Sequence, residues 1–180
     1  MHKNLNYTNN LFKKSLKNYQ NKDYSEAKKN LFEILNLDPT NIQALNFLGV
    51  IHGILKEHLY AKEYFEKSLN LDPNQNQQKE NLSISLYELE EYGEAIKLLN
   101  KIPVNQRISY QYYLNLGNCH FKLLNYVDAI NNYEKSIRIN SSNFQAYLNL
   151  GIINKINKDY DSSEVNLVAA FNLNKNNFLI

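Results

Sequence analysis

The sequence has only one cysteine, Cys119. A single thiol cannot form an intramolecular disulfide, which excludes the small secreted domains that disulfides hold together and favours a reducing compartment. There is also no run of 18 apolar residues, and the segment Met1–Asn6 lacks the apolar core of a secretory signal. We therefore expect a cytoplasmic protein with no membrane partner.

Excess charge of one sign is lacking as well. Lys and Arg total 20 against 18 Asp and Glu, which gives a formal net charge of +2. A balance this close argues against the large basic surface that binds nucleic acid or an anionic membrane, so we expect neither as a partner.

Glycine and proline are few, with five and three residues. No linker rich in glycine, proline or serine divides the chain, so we interpret it as one domain. There is no glycine-rich phosphate loop, no cluster with metal-ligand spacing and no catalytic triad. We accordingly expect no catalytic residue, no cofactor and no metal.

What the sequence does contain is one pattern repeated at a spacing of 34 residues. The opening of its last copy, Phe144–Gly151, closely repeats Tyr110–Gly117. Five copies follow one another without insertion, at residues 8–41, 42–75, 76–109, 110–143 and 144–177. A fixed period of this length indicates stacked structural repeats, each of which buries its apolar face only against its neighbours.

Two positions of the pattern are small in every copy. The first is Ser15, Gly49, Ser83, Gly117 and Gly151, and the second, twelve residues later, is Ala27, Ala61, Ala95, Ala129 and Ser163. Glycine and serine destabilise the interior of a helix, so their recurrence at this position indicates that close packing requires a small residue there. Two antiparallel helices that cross closely at these positions would supply one, because a side chain at the crossing would hold the backbones apart.

The remaining signals divide each copy into helix, tight turn, helix and stop. An aromatic residue ends the turn in every copy, at Tyr24, His58, Tyr92, Tyr126 and Tyr160. Pro39 and Pro73 follow second helices that they cannot continue. Pro103 comes early in the third copy, which predicts that its second helix ends near Ile102 and that a longer loop and the weakest joint of the chain follow.

These residues together resemble the tetratricopeptide repeat (TPR) family. The Leu-Gly pairs, the turn tyrosine, the alanine twelve residues after the glycine and the Asp-Pro stops carry the resemblance. It implies an all-α fold, a right-handed α-solenoid of five 34-residue helix–turn–helix repeats. The usual tryptophan of the first helix is absent here; Leu11, Leu45, Lys79, Tyr113 and Tyr147 stand in its place.

The two ends depart from the pattern. Residues 1–7 are polar and are expected to be frayed. Residues 178–180 look like the start of a sixth repeat that does not continue, or a C-terminal tail. Two interpretations stay open: the chain is the front part of a longer protein, or its last repeat is covered by self-association or a partner.

Amide side chains recur at fixed positions of the predicted first helices. In TPR proteins these helices line the concave groove, and a ladder of asparagines resembles the peptide groove of the repeat domain in O-linked N-acetylglucosamine transferases. Amides offer both a donor and an acceptor to the backbone of an extended peptide. The candidate groove residues are Gln43, Gln77, Asn81, Gln111, Asn115, Asn118, Gln145 and Asn149.

The resemblance therefore favours a non-enzymatic scaffold that binds an extended peptide segment of a partner protein. Two alternatives remain: the repeat portion of a larger glycosyl- or sulfo-transferase whose catalytic domain is not in this chain, and a self-association module. The lysines and arginines with which chaperone-binding relatives clamp a C-terminal carboxylate are missing from the groove positions. His52 and His120 are interpreted as core-edge histidines rather than metal ligands.

Overall fold

The computed structural model describes the backbone of residues 2–175 and the side chains of residues 6–175. The described residues are all-helical, with ten α-helices, one short 3₁₀ helix and no strand. The helices are α1 His2–Gln20, α2 Tyr24–Leu37, α3 Ile42–Ile54, α4 His58–Leu71, α5 Asn76–Glu88, α6 Tyr92–Asn100, α7 Tyr110–Lys122, α8 Tyr126–Ile139, α9 Phe144–Ile156 and α10 Tyr160–Asn174, with the 3₁₀ helix at Val104–Gln106. The predicted sixth-repeat start at 178–180 lies outside these residues.

The chain divides into two compact units, residues 1–90 and 91–180. The first contains α1–α5 and the second α6–α10. The sequence places the weakest joint at Pro103, but the division falls between Glu90 and Glu91. The loop after Pro103 is held to its own unit by Arg107, whose guanidinium donates to the carbonyl oxygens of Ile102 at 2.9 Å and Asn100 at 3.1 Å.

The first helix is longer than the sequence predicts. It begins at His2, so residues 2–7 are helical where we expect a frayed segment. No glycine or proline interrupts these residues, and the Tyr7 hydroxyl donates a hydrogen bond to the Glu33 carboxylate on α2. This contact ties the first turns of α1 to the second helix of the pair.

Every turn inside a helix pair contains one residue with a positive φ that is not glycine. These residues are Lys22, Lys56, Glu90, Leu124 and Lys158, with φ between 59° and 63°. In the fourth pair the amide of Leu124 donates to the carbonyl of Phe121 and the amide of Asn125 to that of His120, at 3.0 and 2.9 Å. This is a Schellman motif, and it satisfies carbonyls that the end of a helix would otherwise leave unpaired.

In the second, fourth and fifth pairs the two helices meet where a large side chain of the second helix covers a glycine of the first. A Cβ atom at Gly49 would lie 2.7 Å from the Phe65 ring, and one at Gly117 would lie 2.6 Å from the Tyr133 ring. The glycines are therefore needed for close packing, and the predicted meeting of the two small positions is confirmed where Ser163 Oγ donates to the Gly151 carbonyl oxygen at 2.8 Å. The space over the glycine is filled by the ring of Phe65 or Tyr133, which comes four residues after the alanine at the second small position. Side chains four residues apart lie on the same face of a helix.

We predict that replacing Gly117 with alanine destabilises the protein. The added methyl would overlap the buried Tyr133 ring, and overpacking of this kind costs roughly 1–3 kcal/mol. Gly93 on α6 is the matched control, since a Cβ there meets nothing within 4 Å. Gly93→Ala should leave the free energy of unfolding unchanged or raise it by up to about 1 kcal/mol through helix propensity. Urea denaturation measures both, and equal effects would contradict the packing explanation.

The positive φ of Leu124 generates a second prediction. Leu124 is 69 % exposed, so its side chain contributes little buried area, while a left-handed conformation costs a non-glycine residue roughly 1 kcal/mol. Leu124→Gly should therefore raise the free energy of unfolding by about 0.5 kcal/mol after the entropy of the unfolded glycine is counted. Leu123→Gly, at an ordinary φ of −84°, should lower it. If both variants lose stability alike in urea denaturation, the backbone argument fails.

Candidate functional site

The four glutamines of the predicted groove occupy the same place in their helices. Each is the second residue of the first helix in its pair, on α3, α5, α7 and α9. Gln43, Gln77 and Gln145 are exposed, and Gln111 is half-buried. The 34-residue spacing of these glutamines therefore reflects the start of each helix, which begins one residue before its glutamine.

The asparagines four residues later differ in their exposure. Asn81 and Asn149 are half-buried, whereas Asn115 is only 7 % exposed. In the first unit Gln77 Nε2 donates to Asn81 Oδ1 at 3.2 Å, so two predicted residues are joined along α5. Helical spacing alone could not reveal the burial of Asn115, because the neighbouring helices decide how much of each side chain is covered.

In the second unit the fold brings two predicted residues from different helices together. Asn149 Nδ2 on α9 donates to Asn118 Oδ1 on α7 at 3.0 Å. The Tyr133 hydroxyl on α8 donates to the same Asn118 oxygen at 2.9 Å and lies 3.1 Å from Asn149 Nδ2. Three helices thus meet in one polar cluster, which we call the amide cluster: Asn118, Tyr133 and Asn149.

The amide cluster leaves one donor and one acceptor on neighbouring side chains. Within the described residues, Asn118 Nδ2 and Asn149 Oδ1 have no hydrogen-bond partner, and both side chains are half-buried. An amide N–H and a carbonyl oxygen on neighbouring groups match the acceptor and donor of a peptide backbone. The internal hydrogen bonds orient both side chains before any ligand arrives, which lowers the entropic cost of binding.

Tyr133 has a role that the sequence pattern did not indicate. Its ring is fully buried over Gly117, while its hydroxyl reaches the two asparagines. The equivalent residues Leu31, Phe65, Leu99 and Leu167 have no hydroxyl. This difference between the repeats could have indicated a polar contact in the sequence, since a buried tyrosine hydroxyl needs a hydrogen-bond partner.

Among the described residues, the side chains of His52 and Cys119 are both buried. His52 is 5 % exposed, and its Nδ1 lies 2.5 Å from Glu57 Oε2. Burial lowers the pKa of His52, although the hydrogen bond to Glu57 opposes this change. Burial also raises the pKa of the Cys119 thiol to about 12, which keeps it protonated near neutral pH. The side chains of residues 6–175 include no group of three or more metal-ligating residues.

No helix within the described residues has both the length and the apolar character needed to cross a bilayer.

Comparison with known proteins connects this geometry to a family. Residues 42–75 and 110–143 each match a family model for the tetratricopeptide repeat. None of the curated proteins matches the sequence.

Solved structures match the fold over nearly the whole chain. MamA from Desulfovibrio magneticus RS-1 superposes with a TM-score of 0.85 at 17 % identity, covering 94 % of this chain and 96 % of that one. For PilF of Pseudomonas aeruginosa the TM-score is 0.79 at 22 % identity, over 94 % and 76 % of the two chains. YrrB, described as a TPR protein with an unusual peptide-binding site, gives 0.75 at 16 % identity over 91 % and 84 %. The chain therefore contains tetratricopeptide repeats at residues 42–75 and 110–143 and has the all-helical fold of its structural relatives.

Proposed function

We propose that the chain is a non-enzymatic interaction scaffold that binds an extended segment of a partner protein along its first helices. The observation that carries the proposal is the amide cluster, where Asn118 and Asn149 hold a donor and an acceptor beside each other. An extended strand presents a carbonyl and an N–H at regular intervals, and amide side chains can pair with them whatever the sequence of the strand.

The exposed glutamines extend the same chemistry along each unit. Gln145 lies one helical turn from Asn149 on α9, and Gln77 lies one turn from Asn81 on α5. Their amides are neutral, which suits a peptide backbone better than a phosphate or a carboxylate. The peptide-binding site named for YrrB supports the proposal as a precedent within the same fold.

Charge and thiol chemistry agree with this proposal. The net charge of +2 gives no strong attraction to nucleic acid, and Cys119 is buried and protonated near neutral pH. We propose the cytoplasm as the location, where a free thiol stays reduced.

Asn118→Asp tests the proposed role of the amide cluster. The new carboxylate keeps an oxygen that accepts from Tyr133 and Asn149, but it removes the Nδ2 donor that would hold a peptide carbonyl. Linear twelve-residue peptides selected from a random displayed library against the full chain serve as probes. We expect their affinity, measured by fluorescence anisotropy, to fall about tenfold or more, the equivalent of one hydrogen bond of about 1.4 kcal/mol.

Asn131→Asp is the matched control for this experiment. It makes the same change of charge at an exposed position of α8, outside the amide cluster. Affinity should be unchanged in this variant, and both variants should keep the wild-type melting temperature within a few degrees. Equal losses in the two variants would point to net charge instead of the cluster, and no loss in Asn118→Asp would refute the proposed site.

A further inference from the structure

In two helix pairs an aromatic ring near the end of the first helix packs on the aromatic residue that begins the second. Tyr19 lies on Tyr24 with ring centroids 5.8 Å apart, and Phe121 lies on Tyr126 at 5.9 Å. Tyr87 is the equivalent of Tyr19 in the third repeat, and Lys155 in the fifth. The ring closes the space beside the turn.

The second pair has a glycine where this ring should be. Gly53 is the equivalent of Tyr19 and Phe121, and His58 is the equivalent of Tyr24. A Cβ atom added to Gly53 would meet nothing within 4 Å, unlike one at Gly49, which would strike Phe65. Glycine weakens a helix, so a packing reason is expected. No described side chain supplies one for Gly53.

The space beside Gly53 is a pocket of about 230 Å³ within the first unit. Its lining includes Val50, Gly53, Ile54, His58, Asn81 and Ile84. A cavity of about 150 Å³ with apolar walls can hold a benzene molecule, so this one has room for an aromatic side chain. Its lining also includes the Phe65 ring and is mainly apolar, with no lysine, arginine, aspartate or glutamate, which disfavours a charged occupant.

Three polar side chains line the pocket, those of His58, Asn81 and Ser85. Asn81 stands where Phe47 stands one repeat earlier, and Phe47 is the second ring that Tyr19 touches, at 5.2 Å. The pocket therefore corresponds to the position of the Tyr19 ring in the first repeat. His58 replaces Tyr24 and Asn81 replaces Phe47, the two rings that Tyr19 contacts. His58 Nδ1 is shielded from solvent without a hydrogen-bond partner among the described residues.

We infer that this pocket binds an aromatic side chain of the partner segment, which takes the place of the ring that Gly53 lacks. The inference rests on the proposed function, because the side chain belongs to a peptide bound along the first helices. Asn81, hydrogen-bonded to Gln77, also lines the pocket, so the backbone beside that aromatic residue would pass next to it.

The experiment uses N-acetyl-L-phenylalaninamide as the probe and the full chain with labelled methyl groups. Titration should shift the NMR signals of Val50, Ile54 and Ile84 in a saturable way, because an aromatic ring alters the field at methyl groups that it touches. N-acetyl-L-alaninamide, which lacks the ring, should shift them at least tenfold less at equal concentration. Equal shifts with both probes would overturn the inference.

Gly53→Phe is the blocking variant, since it supplies from within the chain the ring found at Phe121. It should abolish the probe-induced shifts without lowering the melting temperature, because its Cβ meets no atom within 4 Å and the pocket of about 230 Å³ has room for the ring. Gly93→Phe is the control, as Gly93 has equally open surroundings on α6 in the other unit. Should Gly53→Phe fold poorly, Gly53→Leu fills the same space with a smaller side chain. Full probe binding in a folded Gly53 variant would overturn the inference.

The library peptides separate this inference from the proposed function. If selected peptides bind and lose affinity in Asn118→Asp, but are indifferent to Gly53→Phe and contain no aromatic residue in common, the scaffold proposal holds and the pocket inference fails. If the phenylalanine probe binds at Val50, Ile54 and Ile84 while no linear peptide is selected, the pocket accepts an aromatic ring, as inferred, but the proposed function fails.

Discussion

The structure depends on one packing contact, in which a large side chain of a second helix lies over a glycine of the first helix in its pair. Phe65 covers Gly49, Tyr133 covers Gly117 and Leu167 covers Gly151, each at a distance that leaves no room for a methyl group. Overlap of this kind cannot be relieved by a small rotation when the ring is itself buried. The contact therefore sets the distance between the two helices of a pair and, with it, the positions of all side chains on the first helices.

The amide cluster shows how this packing supports the proposed binding site. The Tyr133 ring is held over Gly117, so its hydroxyl has a defined position, and that position is within hydrogen-bond reach of Asn118 and Asn149. One side chain thus packs the helix pair and orients two amides from neighbouring first helices. Rigid support of this type is what a site needs in order to bind a flexible strand with little loss of entropy.

The second repeat uses the same scaffold to a different effect. Gly49 packs against Phe65 like the equivalent glycines of other pairs. Gly53, one helical turn later, stands where two other repeats have an aromatic ring that fills the space beside the turn. A repeat architecture makes such a departure visible, because the equivalent residues of the other copies show what the position normally contributes. The result is a pocket bordered by His58 and Asn81.

The helix pairs, their 34-residue spacing, the small positions at the crossings and the columns of amides could all be predicted from the sequence, because they depend on local periodicity and on which residues a helix end tolerates. The packing of Tyr133 over Gly117, the burial of Asn115 and the contact between Asn118 and Asn149 could not, and they became visible in the structure. The sequence also did not predict the residue with a left-handed conformation in each turn, since lysine, glutamate and leucine occupy a position where glycine is usual. The physical reason is the same in each case: exposure and side-chain partners are set by the neighbouring helix, which the spacing within one helix does not describe.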